Sequence, residues 1–239
     1  MNKTLTFDEA NAIIQEDFLD PKGPFYSVGK QEKIAALREL INSLDVKSEG
    51  NVTLLYSGMM NKNIHSTDII KAVITGENNR VLDKTEAFKF LDFDNRKGKP
   101  KNKYLKEVLE SIFGDNVDFW KGEVNEFIFG KENPGAYRTN GAFDLVSENF
   151  AKETKGRVIA IVPNASPGRT FGQTELRALL NNPNITTING LDKIELLGSI
   201  NPTNITSKEL ENIFDKVKAA SIIQARAAGL HLAKHADSI

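Results

Sequence analysis

The sequence predicts a mixed α/β fold, in which helices flank a short parallel sheet between a helical N-terminal subdomain and a helical C-terminal tail. Two short apolar runs rich in β-branched residues, at 52–56 and 157–162, are typical of buried strands. Helical patterns separate these runs, and strands that alternate with helices favour a parallel sheet. Amphipathic patterns before the first run and after the last strand candidate predict the helical ends.

Length and composition predict one large domain or two small ones, since the chain has 239 residues and ordinary hydrophobic and charged fractions. We divide it into a helical segment at 1–50, a helical part with the first strand at 51–140, an α/β part at 141–202 and a C-terminal helix at 203–239. A run rich in Gly, Pro and Asn at 131–141 separates the second part from the third.

Charge and cysteine content exclude several classes of protein and site. The net charge of −1 argues against a nucleic-acid partner, which usually requires a basic surplus. The absence of cysteine excludes disulfides, thiolate nucleophiles and cysteine zinc sites. Neither a signal peptide nor an apolar run of about 18 residues is present, so we expect a soluble protein without a membrane span. Export by a route that needs no N-terminal signal stays open.

The first half of the chain shows several helix signals. Thr6 and Glu9 have the spacing of a capping box, which predicts a helix to about residue 18. An apolar stripe predicts a second helix at 30–44. Further helices are expected after Ser66, from Asp83 to residue 91, at 104–113 and at 119–129. The Lys-rich stretch 92–103 indicates an exposed loop, with a phosphate-binding patch as the alternative.

The second half contains the clearest strand, at 157–162, between helices at 141–154 and 173–180. Two more strand candidates lie at 185–188 and 193–197. A long helix follows at 207–234, with apolar residues at helical spacing at 213, 217, 220, 223 and 227. This tail helix either packs on its own domain or forms a surface for a partner.

A single carboxylate, Glu175, follows the strand at 157–162 and its loop. In open α/β sheets, ligands bind outside the carboxyl ends of the strands. The loop residues 168–172 match neither a dinucleotide-binding fingerprint nor a P-loop, so they predict either a phosphate site at a helix start or a tight turn.

Histidine and tryptophan carry weaker signals. His231 and His235 are four residues apart and could share a metal ion, but no third ligand is evident, so solvated side chains are the favoured interpretation and we predict no metal site. No Ser-His-Asp set is recognisable, since His65 is isolated and Ser57 lacks the nucleophile-elbow pattern. We expect Trp120 to lie in the core.

Four short blocks follow one another along the chain at strand and helix ends. They read L-L-Y-S at 54–57, V-L-D-K-T at 81–85, F-x-x-x-S-x-x-F-A at 143–151 and T-F-G-x-x-E at 170–175. In this order they resemble the ADP-ribosyl cyclase/NAD glycohydrolase family, including its bacterial toxin-domain members. The following L-N-N-P-N-I-T at 180–186 is similar to the toxin-type members. The resemblance covers roughly residues 52–197.

The blocks also depart from the family pattern. Tyr56 and Phe143 stand where animal members have Trp, and Asp83 stands where the family has Glu. The fourth block matches outright. The disulfides of animal members are absent, which is no objection because larger intracellular domains need them less.

The resemblance implies an enzyme that uses NAD as substrate, without a cofactor or metal. It would cleave the nicotinamide N-glycosidic bond to give nicotinamide with ADP-ribose, cyclic ADP-ribose or both. Such a reaction passes through an oxocarbenium-like state, which a carboxylate can stabilise or trap. Glu175 would have this catalytic role, and hydrolysis to ADP-ribose is the first expectation.

The resemblance also assigns the other residues. Ser147 would bond to the ribose or the leaving ring, and Asp83 would bind the nicotinamide amide and influence the product. Tyr56 and Phe143 would stack on the nicotinamide ring. The pyrophosphate would be held by Ser57, Thr170, Phe171 and the N–H groups around Gly172.

Two other functions stay open from the sequence. One is a non-catalytic module that binds NAD or ADP-ribose, which the substituted aromatic residues suggest. The other is an ADP-ribosyltransferase with a protein acceptor. The resemblance further implies a toxin, held in check by an immunity protein, or an effector or signalling enzyme. It would act in the cytoplasm of its own cell or of a cell into which it is delivered.

Overall fold

A computed structural model describes residues 4–56, 79–94, 98–131 and 141–227. The chain forms two compact units. We call Met1–Lys47 with Leu82–Phe150 the helical unit, and Ser48–Val81 with Ala151–Ile239 the sheet unit. The fold class is mixed α/β, as predicted. The predicted division at residues 50, 140 and 202 stays a prediction; the two units interleave along the chain instead of following one another.

The described strands are β1 Val52–Tyr56, β2 Asn79–Val81, β3 Phe93–Asp94, β4 Lys99–Pro100, β5 Gly156–Ile161, β6 Ile185–Ile188 and β7 Leu191–Asp192. The described α-helices are α1 Phe7–Ile13, α2 Lys30–Asn42, α3 Glu86–Leu91, α4 Lys103–Phe113, α5 Gly122–Phe129, α6 Ala142–Glu153, α7 Leu176–Asn181, α8 Lys193–Leu197 and α9 Ser207–Ala227. The helix predicted after Ser66 lies outside the described residues.

The helical unit begins with the predicted capping box. The Glu9 N–H donates to the Thr6 hydroxyl over 3.3 Å, and the Thr6 N–H donates to the Glu9 carboxylate over 2.9 Å. The helix continues from α1 into a π-helical segment, Ile14–Leu19, so it reaches the predicted end near residue 18. Helix α2 ends two residues before the predicted 44.

The sequence predicts an exposed loop at 92–103, but part of this stretch forms two short strands. Strands β3 and β4 pair antiparallel, with Phe93 opposite Pro100. Phe93 is buried and contacts aromatic rings of the same unit, and this packing gives a short polar hairpin an apolar anchor. Asn102 then caps α4 through N–H groups of Tyr104 and Leu105. Helix α5 starts at Gly122 and not at the predicted residue 119.

The sheet unit contains a five-stranded sheet in the order β2-β1-β5-β6-β7. The first four strands are parallel, and β7 pairs antiparallel with β6. Tyr56 at the end of β1 lies opposite Ile161 at the end of β5, so both carboxyl ends lie at one edge. Strand β1 agrees with its predicted bounds, and β5 begins and ends one residue earlier than predicted.

The prediction of a strand at 193–197 was wrong, because these residues form helix α8. Asn189 and Gly190 have φ values of 52° and 77°, which suits the tight turn between β6 and β7. Asp192 then caps α8, since its carboxylate accepts the N–H groups of Ile194 and Glu195. These local signals outweigh the apolar content of the run.

The tail helix α9 packs within the sheet unit. Its buried side chains include Leu210, Ile213, Phe214 and Val217, and the helix contacts β5. Ile223, which the sequence places among the apolar residues at helical spacing, is 67% exposed. The predicted continuation to residue 234 lies beyond the described range.

Candidate functional site

The residues that the sequence analysis selected are divided between the two units. Tyr56, Thr170, Phe171, Gly172 and Glu175 belong to the sheet unit, and Asp83, Phe143 and Ser147 belong to the helical unit. Ser57 lies outside the described residues.

Glu175 lies at the end of a π-helical segment, Phe171–Glu175, that leads into α7. The helix thus starts two residues before the predicted 173. A π turn holds one residue more than an α turn, and such turns occur frequently at functional sites. Only 6% of Glu175 is exposed. A carboxylate is seldom buried to this extent unless it is paired or has a chemical task.

Gly172 is required by a close contact with the preceding loop. A Cβ atom at this position would lie 2.5 Å from the Pro167 carbonyl oxygen and 2.7 Å from the Pro167 Cα. The Gln173 side chain donates to the same carbonyl over 2.9 Å. Of the two alternatives for this loop, the tight turn is present, and any role of its N–H groups in phosphate binding stays a prediction.

The other sheet-unit candidates differ in burial. Phe171 is fully buried and packs against Phe214 of α9, with ring centroids 6.1 Å apart. Its side chain is therefore a core group, and its main chain is the part that a ligand could contact. Thr170 and Tyr56 are half-buried, and Tyr56 lies at the edge where β1 and β5 end.

In the helical unit, Phe143 and Ser147 lie one turn apart on α6. Ser147 is 5% exposed and Phe143 is half-buried. The Phe143 ring stacks on Phe129 with centroids 5.5 Å apart, and Phe129 stacks on Trp120 at 5.2 Å, both at an interplanar angle of 7°. The three rings form a column, which fixes the orientation of the Phe143 ring.

The prediction that Trp120 lies in the core was wrong, since 45% of the residue is exposed. One indole face is covered by Phe129, and the indole edge lies against the turn of the β3–β4 hairpin. Gly98 in that turn has φ of 61°, and a Cβ there would lie 2.6 Å from the indole Nε1. Trp120 thus closes the outer end of the column.

A hydrogen bond to a buried carboxylate supports the start of α6. The Gly141 N–H donates to the Asp144 carboxylate over 3.0 Å, and Asp144 is 4% exposed. Burial lowers the pKa of Arg38, and the negative charge of Asp144 opposes that shift. The Arg38 guanidinium also lies over the Phe127 ring, 5.1 Å from its centroid.

Asp83 lies in a single 3-10 turn, Leu82–Lys84, just before Thr85 caps α3. Desolvation raises the pKa of Asp83 above its ordinary value; a backbone hydrogen bond opposes the shift, and the charge of Asp92 adds to it. The side chain itself borders solvent. A carboxyl group with a raised pKa stays protonated to a higher pH than an ordinary one, and only the protonated form can donate a hydrogen bond.

Three polar residues of the sheet unit were not selected from the sequence: Asn189, Lys218 and Ser221. Asn189 binds both main-chain groups of Ala160 in β5. The Asn-Gly turn is the one sequence signal that could have found Asn189. Lys218 and Ser221 contact Ala165 and Val162 in the loop after β5, which lie 53 and 59 residues earlier in the chain. No local sequence pattern predicts such contacts.

In the part of the chain that the structure describes, no group of three or more His, Asp and Glu side chains could hold a metal ion. His65, His231 and His235 lie outside that part. Among the same residues, no helix is both long and apolar enough to cross a bilayer.

Comparison of the chain with family models, curated proteins and solved structures found no match. The resemblance in the four blocks therefore stays a prediction, and the site is argued from its own residues.

Proposed function

We propose that this protein cleaves the nicotinamide N-glycosidic bond of NAD, with ADP-ribose as the main second product. The observation that carries the proposal is Glu175, a carboxylate buried to all but 6% at the end of a π-helical segment that follows the loop after β5. The carboxyl edge of a parallel sheet is where ligands of such folds bind. Glu175 is also the last residue of the T-F-G-x-x-E block, which matches the family pattern at every defined position.

The chemistry needs few groups. As the C–N bond breaks, positive charge develops on the ribose, and a nearby carboxylate stabilises it more strongly in a site from which water is excluded. Water then adds to the ribose carbon, giving ADP-ribose and a proton. Ser147, Phe143, Tyr56 and Asp83 keep the roles that the resemblance implies. The raised pKa of Asp83 supports its assignment as the group that bonds to the nicotinamide amide.

The test compares the wild-type protein with Glu175→Gln and with Glu195→Gln as a matched control. Glu195 is an exposed carboxylate on α8 of the same unit. Each protein is incubated with NAD, and nicotinamide, ADP-ribose and cyclic ADP-ribose are separated by chromatography. We expect Glu175→Gln to lower the rate by about 10²–10³-fold, the range measured when one electrostatic stabiliser is removed. Glu195→Gln should keep the wild-type rate.

Each outcome distinguishes the candidate functions. If Glu175→Gln keeps wild-type turnover, the catalytic role of Glu175 is wrong. Binding of NAD or ADP-ribose by a wild-type protein that releases no nicotinamide would indicate the non-catalytic module. Labelled ADP-ribose on protein, with none free in solution, would indicate a transferase.

A further inference from the structure

Helix α9 contacts the segment that joins β5 to the Glu175 turn at three separate points. The Val162 N–H donates to the Ser221 hydroxyl over 2.9 Å, at the segment's start. The Lys218 ammonium donates to the Ala165 carbonyl over 3.0 Å, inside the loop. At the segment's end, Phe171 packs on Phe214.

These contacts lie on one face of α9. Phe214, Lys218 and Ser221 are spaced at four and three residues, so one helical face follows the segment from its end to its start. Ser221 is fully buried and Phe214 is 1% exposed. The loop's own hydrogen bonds are short-range turns, such as the Ala165 N–H to the Val162 carbonyl at 3.0 Å. Helix α9 therefore supplies the loop with contacts from a distant part of the chain, at its start, inside it and at its end.

We propose that α9 positions the loop 162–170 for substrate binding, and that Lys218 is the positioning residue that sets the affinity for NAD. The inference rests on the proposed function and on the resemblance, which assigns Thr170, at the end of this loop, and the N–H groups around Gly172 to the pyrophosphate. Lys218 acts through the Ala165 carbonyl and has no part in bond cleavage. Its removal should loosen the loop and weaken substrate binding while the Glu175 turn stays intact, because Gly172, Pro167 and Phe171 still fix that turn.

The Lys218 ammonium lies over the Phe214 ring, 5.8 Å from its centroid. Lys218→Met is the best variant because it removes the hydrogen-bond donor and keeps an unbranched side chain beside that ring. Lys216→Met is the matched control, since Lys216 lies on the same helix two residues earlier and is exposed. Lys218→Arg restores a charged donor and should recover most of the effect. Ser221→Ala is less suitable, because a buried N–H without an acceptor could unfold the unit.

The experiment measures KM and kcat for NAD, the melting temperature, and hydrogen exchange of peptides that cover 162–172. For Lys218→Met we expect KM to rise about tenfold with kcat unchanged, the factor that corresponds to one lost hydrogen bond from a charged donor. The same peptides should exchange faster, and the melting temperature should lie only about 2–4 °C below that of Lys216→Met, the shift expected for one lost hydrogen bond in a protein of this size. Lys218→Arg should lie close to the wild type.

Unchanged KM and unchanged exchange in Lys218→Met would overturn the inference, and so would a fall in kcat at constant KM. If the wild-type protein does not turn over NAD, the proposed function fails, and the exchange measurement alone then decides whether α9 holds the loop. In that case, faster exchange in Lys218→Met but not in Lys216→Met supports the inference that α9 holds the loop. Equal exchange in both Met variants refutes it.

Discussion

Replacement of Asn189 should strongly weaken the sheet unit. Its side-chain oxygen accepts the Ala160 N–H over 2.7 Å, and its side-chain nitrogen donates to the Ala160 carbonyl at 2.9 Å and to the Val217 carbonyl at 3.0 Å. The residue is 5% exposed. One side chain thus satisfies both main-chain groups of a β5 residue and joins β5 to α9.

The cost of Asn189→Ala follows from these contacts. A buried N–H left without an acceptor costs about 1–3 kcal/mol, and two carbonyls that lose a donor add roughly 1–2 kcal/mol together. Alanine at a φ of 52° adds about 1 kcal/mol of backbone strain. We expect the free energy of unfolding to fall by about 3–6 kcal/mol.

The assay is urea unfolding followed by circular dichroism, with two comparisons that separate side chain from backbone. Asn116→Ala is the matched control, because Asn116 has φ of 59° but is exposed, so it should lose only the backbone part of about 1 kcal/mol. Asn189→Gly keeps the backbone conformation and should still lose the part due to hydrogen bonds. If Asn189→Ala costs no more than Asn116→Ala, water or neighbouring groups replace the three bonds and the reasoning is wrong.

Two further predictions concern a close contact and a titrating group. Gly172→Ala should destabilise the protein by about 1–3 kcal/mol in urea unfolding, because its Cβ cannot avoid the Pro167 main chain. Gly29→Ala, where a Cβ meets nothing within 4 Å, should change stability by less than about 0.5 kcal/mol, because the poorer N-cap of α2 and the reduced freedom of the unfolded chain oppose each other; equal effects would contradict the argument. Hydrogen bonds from Lys89 and from the Phe7 N–H lower the pKa of Glu86. The stability that its ionised carboxylate contributes is therefore complete above the pKa of Glu86 in the unfolded chain, and it is lost as the pH falls through the pKa in the folded protein. Glu86→Gln should therefore cost about 1 kcal/mol near neutral pH and progressively less as pH falls below the ordinary glutamate pKa of about 4.3, whereas a cost independent of pH would refute the assignment.

Elements with local determinants were predictable from the sequence. The capping box of Thr6 and Glu9 lies within one turn, and β1 is a continuous apolar run between turn residues, so neither depends on distant contacts. The strand β6 also has its predicted bounds. At 193–197 the apolar run indicates a strand, but the cap at Asp192 decides the structure and the residues form α8.

Contacts between distant parts of the chain could not be predicted. The exposure of Trp120 follows from its column with Phe129 and Phe143, and the hairpin of Phe93 forms against the same rings. Composition gives the number of aromatic residues but not which of their faces remain open. The sequence predicts that Glu175 follows the strand β5 and its loop and that Ser147 lies on the helix α6. It does not predict that both side chains are deeply buried.

The residues of the T-F-G-x-x-E block do not contribute equally to the functional argument. Phe171 fills the core against Phe214, and Gly172 is required by the Pro167 main chain, so packing alone explains both. Packing alone does not explain Glu175, since an apolar side chain could fill the same buried space. A carboxylate this deeply buried is rare, and it is a candidate for a chemical role. The functional proposal therefore depends on Glu175 far more than on the number of matching positions.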